Sequence, residues 1–160
     1  MNLVTSALYY IRSDKDTHFS GALAQNAGEL ESLSFPAELN AMNVRELVIE
    51  SITIIFEQAA LEWDVYLWSK AAATTASNVD TDNFLAYVNF ASTGGKQIAG
   101  TGSFYYSAFD LNLPYKDQDV NAITAGSKLH VTLVNRSATA KNAGATGEVV
   151  VLFGVRPVTK

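Results

Sequence analysis

Two histidines, His18 and His130, are the only imidazoles in this chain, and cysteine is absent. A bound metal needs converging ligands, and neither histidine has a second histidine at helical or strand spacing. A cupin-type oxygenase would carry a His-x-His pair on one strand, and none occurs. His130 falls on the outward face of an alternating segment and reads as an ordinary surface histidine. Asp117-Gln118-Asp119-Val120-Asn121 sets side-chain oxygens where a calcium loop begins. Ala122 then stands where glycine must turn, and Lys128 where the bidentate glutamate belongs. The segment reads as a solvated turn following Pro114-Tyr115.

Nucleophilic chemistry has no anchor either, since no Gly-x-Ser-x-Gly elbow is present. Gly94-Gly95-Lys96 and Gly100-Thr101-Gly102-Ser103 lack phosphate-loop spacing and read as turns around Ile98. Asp14/Asp16 and Asp80/Asp82 are the acid pairs a carboxylate hydrolase could draw on. Asn135-Arg136-Ser137 is a formal glycosylation sequon, idle without a secretory route.

Aromatic side chains leave more room for function. Leu61, Trp63, Val65 and Leu67 share one face of an alternating run, and Glu62, Asp64, Tyr66 and Trp68 share the other. An exposed Tyr66/Trp68 pair would anchor a partner or a sugar ring, unless the stretch 13–43 covers it. Tyr105 and Tyr106 likewise point to opposite faces, so one of them is a surface candidate.

These residues must be held by strands. Alternation and β-branched enrichment mark Leu3–Ile11, 44–57, 61–68, 103–113, 129–136 and 149–156, with one more short strand near 30–35. The imperfect alternation of 44–57 predicts a long, bent strand that changes face at a bulge. Apolar Val150 and Leu152 give 149–156 a second apolar face, so this strand is expected to be covered on both sides. The small, polar run 137–147 reads as a long hairpin loop between the last two strands. Residues 80–91 read as a short crossover helix: Asp80 and Asp82 cap it, and Phe84, Tyr87, Val88 and Ala91 follow i, i+3, i+4, i+7 spacing. Six to eight strands with long connections predict an all-β fold, a two-sheet antiparallel sandwich of jelly-roll type. An immunoglobulin-like sandwich is the runner-up.

At 160 residues the chain fits one domain, 1–160, able to bury a core without staples. No basic leader precedes an apolar run, so no signal peptide is expected, and no run is long enough to cross a bilayer. The net charge of −5 divides unevenly. Residues 1–70 hold ten acids and four bases, whereas 120–160 hold five bases and one acid. Such an acidic chain is a poor nucleic-acid binder, but the asymmetry suits contact between copies.

Phe104-Tyr105-Tyr106 through Leu113-Pro114-Tyr115, then Leu129-His130-Val131-Thr132-Leu133-Val134-Asn135-Arg136-Ser137, then Gly147-Glu148-Val149-Val150-Val151-Leu152-Phe153, resemble small jelly-roll virion proteins of tailed bacteriophages, including the capsid decoration or cement class. The resemblance covers about half the chain. It implies a homo-oligomer, a trimer or dimer, made in the host cytoplasm and seated on the major capsid protein at the virion surface. It implies no active site, cofactor or metal, and no membrane partner. The segment 1–12 is then an arm or edge strand that pairs with a neighbouring copy or the shell. The interface candidates are Leu3, Val4, Tyr9, Tyr66, Trp68, Tyr105, Arg136 and Arg156. A carbohydrate-binding or adhesin module is the alternative, resting on Tyr66, Trp68 and the tyrosine-rich strand. An enzyme of unrecognised type, such as a carboxylate hydrolase, is the third.

Overall fold

The structure, a computed structural model, describes residues 7–42, 44, 46–58, 61–71, 83–119 and 126–158. Ten strands and one short helix appear in the order β1 (Tyr9–Arg12), β2 (Gly28–Ser34), α1 (Ala37–Ala41), β3 (Glu46–Phe56), β4 (Trp63–Trp68), β5 (Phe84–Phe90), β6 (Lys96–Gln97), β7 (Phe104–Ala108), β8 (Leu113–Lys116), β9 (Lys128–Asn135) and β10 (Val149–Pro157).

Every described pairing is antiparallel, and the pairs are nested. β4 pairs with β5, β3 with β7 and β8, β2 with β9, and β1 with β10. The chain therefore behaves as one long ribbon, running out through β1–β4 and returning through β5–β10. Successive ribbon layers fall in alternate sheets. The first sheet has the order β1-β10-β3-β7-β6, with β8 also on β3, and the second has the order β2-β9-β4-β5. A rolled ribbon of this connectivity is a jelly roll, so the sandwich expected from the alternation is the one observed.

Alternation decides which side chains fill the space between the sheets. On the second sheet Trp63, Val65 and Leu67 of β4, with Leu129, Val131 and Leu133 of β9, point inward. They meet Ile52, Ile54 and Phe56 of β3 and Val149, Val151, Phe153 and Val155 of β10. Phe56 stacks on Tyr106 at 5.3 Å between ring centroids and meets Trp63 edge-on at 5.8 Å. Each fully buried side chain of this size contributes about 1.5–3 kcal/mol over leaving it in water.

The bulge expected in 44–57 is at Glu50. Leu47 and Ile49 are buried before it, and Ile52, Ile54 and Phe56 after it, so the buried phase moves from odd to even positions. The register with β10 slips at the same place, with Gly154 opposite Ser51 and Val155 opposite Ile49. The third strand of the sheet breaks there too. β7 and β8 are two halves of one strand on the same flank of β3, interrupted at 109–112, where Asp110 and Asn112 adopt left-handed φ angles of 56° and 47°. Leu111 N–H donates to the Glu50 carbonyl, which ties the interruption to the bulge.

Three expectations are corrected. Residues 84–90 form strand β5 rather than a helix. Phe84, Ala86, Val88 and Phe90 are the more buried positions and Leu85, Tyr87 and Asn89 the exposed ones, a period of two. Residues 80–82 lie outside the described residues, among which the α-helix is α1. The run 137–147 is not a hairpin loop, because β9 and β10 belong to different sheets and the run crosses between them. The outer side of β10 is only partly covered: Val150 is buried, but Leu152 is half-buried.

Candidate functional site

Two surfaces and one polar cluster emerge once each singled-out residue is placed. Leu3 and Val4 lie outside the described residues. Tyr9 is half-buried against the core, opposite Val155, and alternation turns the next ring outward. Tyr10 is 54% exposed and Leu8 48%. Both lie over Gly154, where an added Cβ would come within 3.6 Å of the Tyr10 ring and 3.7 Å of Leu8. Tyr105 is half-buried, opposite Ile55, and Phe109 projects at the break between β7 and β8. The outer side of the first sheet thus carries Leu8, Tyr10, Leu152, Ile55 and Tyr105, and β1 is an edge strand among the described residues.

The second sheet differs. Trp68 is 1% exposed, so the exposed Tyr66/Trp68 pair does not exist as a ring platform. Trp68 meets Phe84 edge-on at 5.8 Å and stacks on Tyr66 at 6.2 Å. Its indole N–H donates to Thr132 Oγ1 at 2.9 Å. Among the described residues the rings packed on it come from β4 and β5, not from 13–43. A register slip between Leu67 and Trp68 brings Phe84 opposite Trp68 and makes this cover. Tyr66 is half-buried and stacks on the exposed Tyr87 at 5.8 Å.

Both basic interface candidates are paired within the chain. The Arg136 Nε lies 3.3 Å from Asp64 Oδ2, and the same carboxylate accepts Asn89 Nδ2 at 2.8 Å on its other oxygen. Arg156 Nε donates to Glu50 Oε1 at 2.8 Å, with a second contact from its terminal nitrogen. Asn135 of the sequon is buried. Its amide donates to the Leu23 and Thr139 carbonyls and accepts from Ser137 N–H, so it is structural in the folded chain.

The polar cluster overturns two expectations. His130 is 3% exposed, not a surface histidine, and Asp117 is buried, not part of a solvated turn. After β8, residues 117–119 fold against β9. The Asp117 Oδ1 lies 3.2 Å and the Asp119 Oδ2 3.5 Å from His130 Nε2. The other imidazole nitrogen is 2.8 Å from Ser32 Oγ on β2. Asp117 Oδ2 accepts Lys128 N–H at 2.7 Å, and Asp119 Oδ2 accepts Ala71 N–H at 2.7 Å. Tyr115, reaching across from β8, donates its hydroxyl to the Lys128 carbonyl at 2.7 Å and accepts from His130 N–H at 3.2 Å. Burial raises the Tyr115 hydroxyl well above its ordinary pKa of 10, which keeps it a donor. Spacing on one element could not reveal this cluster. Its sequence signal is an Asp-x-Asp at a strand exit followed by a histidine in the next strand.

No protein-family model matches the chain, and no curated protein matches it. Several solved structures are similar to it. One is the virus-like particle of the extra small virus of the giant freshwater prawn Macrobrachium rosenbergii. It is 14% identical with a TM-score of 0.34, over 93% of this chain and 75% of that one. A second is Turnip Yellow Mosaic Virus, also 14% identical, with a TM-score of 0.31 over 98% and 97%. A third is the native virion of Kashmir bee virus, 13% identical, with a TM-score of 0.31 over 95% and 68%. At these scores the jelly-roll assignment rests on the chain's own strand order.

Proposed function

We propose that this chain is a non-enzymatic structural protein of a virus particle, acting through protein–protein contacts, and that its specific role is capsid decoration or cementing. The observation that carries the reading is the outer side of the first sheet. Leu8, just before β1, and Tyr10 on it stand exposed, and β1 is an edge strand among the described residues. Leu152, Ile55 and Tyr105 add half-buried apolar side chains on the same face, with Arg12, Thr53 and Ser107 between them. Unpaired backbone next to exposed apolar side chains is the chemistry by which a strand or sheet from another chain docks. The likeness of 104–115, 129–137 and 147–153 to small jelly-roll virion proteins supports the same reading. Of the arm or edge strand expected over 1–12, residues 9–12 are edge strand β1, paired with β10 of the same chain, and the proposal that an arm pairs with a neighbouring copy or with the shell falls to residues 1–6.

Sedimentation and negative-stain microscopy of the full chain, alone and with particles of its source virus, test the proposal. We expect a symmetric oligomer or co-sedimentation with the particles, reduced at least tenfold in affinity by Leu8→Ser with Tyr10→Ser. Closed particles formed by the chain alone would replace the decoration role with that of a shell subunit. A monomer that never co-sediments rejects both.

A further inference from the structure

We propose that Asp117, Asp119 and His130 form a site for a divalent cation of the zinc class, with water completing the coordination. The three donor atoms all lie within 4.8 Å of one another. A four-coordinate ion with bonds of about 2.0–2.1 Å separates its ligand atoms by about 3.3–3.4 Å. The imidazole nitrogen lies 3.2 Å and 3.5 Å from the two carboxylate oxygens, on either side of that value.

The surroundings match a ligand set. A metal-binding histidine needs its second ring nitrogen fixed by an outer hydrogen bond, and Ser32 Oγ supplies one at 2.8 Å. Asp117 is oriented by Lys128 N–H on one oxygen and by Asp119 N–H, at 2.9 Å, on the other. The Ala71 N–H holds the same Asp119 oxygen that faces His130. His130 and Asp117 are buried, whereas the Asp119 side chain is 43% exposed and gives an ion a way in. Two carboxylates beside an imidazole form a mixed oxygen and nitrogen donor set of the kind that holds a dication. An imidazole nitrogen among the donors favours zinc, or cobalt in its place, over calcium, which takes six to eight oxygens. Bound there, the ion would tie the chain after β8 and the chain after β4 to the central strand β9.

The test uses the full chain dialysed against EDTA and titrated with Zn2+ or Co2+ by calorimetry, thermal melting and visible absorption. We expect one equivalent bound, a higher Tm, and the intense visible bands of four-coordinate Co2+. Asp119→Asn, at a partly exposed position the fold tolerates, should weaken binding by at least tenfold, and His18→Gln should leave it unchanged. Absence of stoichiometric binding, equal binding by Asp119→Asn, or only the faint spectrum of six-coordinate Co2+ would each overturn the site. None of these outcomes depends on a virion role.

Discussion

The two sheets solve the same problem in opposite ways. Both present an outer face, and the second buries Trp68 with its own side chains, leaving Tyr87 as its exposed ring. Trp68 lies under Phe84 and Tyr66, Thr132 caps the indole, and β9 is buried on both faces from Leu129 to Asn135. The first sheet leaves Leu8 and Tyr10 in water and Leu152 and Ile55 half-covered. A closed face adds to the stability of the lone chain. An open one contributes little until a partner arrives. This contrast, more than any single residue, is what the proposed docking surface rests on.

Four measurements can break or sharpen the contrast. Trp68→Ala should have the largest effect, costing about 3–5 kcal/mol in chemical denaturation, because it opens a cavity in the closed face. A cost below about 1 kcal/mol would mean that this face is not packed as described. Gly154→Ala places a Cβ 2.4 Å from Ser51 Oγ at the foot of the open face. It should cost about 1–3 kcal/mol, with part of the loss restored by adding Ser51→Ala, as a double-mutant cycle would show.

The third measurement is pH dependence. Tyr115 is held neutral in the folded chain, while in the unfolded chain it ionises near its ordinary pKa of 10. Above that pH the folded state binds more protons, so its stability falls as pH rises, by up to about 1.4 kcal/mol per pH unit. Denaturation midpoints between pH 9 and 11 should show this decline flattened in Tyr115→Phe. The smallest effect belongs to the open face, where Leu8→Ser with Tyr10→Ser should change monomer stability by no more than about 0.5 kcal/mol per site. A larger loss would make those residues part of the fold rather than of an interface.

Much of the architecture was legible because alternation is a direct imprint of two-faced strands. The phase change in β3 could be read from Leu47 and Ile49 against Ile52, Ile54 and Phe56, and the bulge followed. Residues 84–90 misled because Phe84, Tyr87 and Val88 satisfy helical spacing, while Ala86, the residue that keeps the strand's inner row, is too small to register. Trp68 was assigned to the outer face correctly, but its cover depends on a register slip that no local pattern encodes. His130 was missed for a related reason. Its partners arrive on a connection whose docking onto β9 is a tertiary event, and the sequence offers only the Asp-x-Asp ahead of it.

The nested ribbon also has a consequence for the order of assembly. Its innermost pair, β4 with β5, joins segments close in the chain, and its outermost, β1 with β10, joins segments nearly the full chain length apart. Closing longer loops costs more entropy and slows the contacts that depend on them. The roll should therefore grow outward, with β1 the last strand to zip and the first to fray. Hydrogen exchange should find the amides of Tyr9–Arg12 least protected among the strands, and equal protection throughout would argue against that sequence. A strand that docks last and leaves first is one that a neighbouring molecule can borrow.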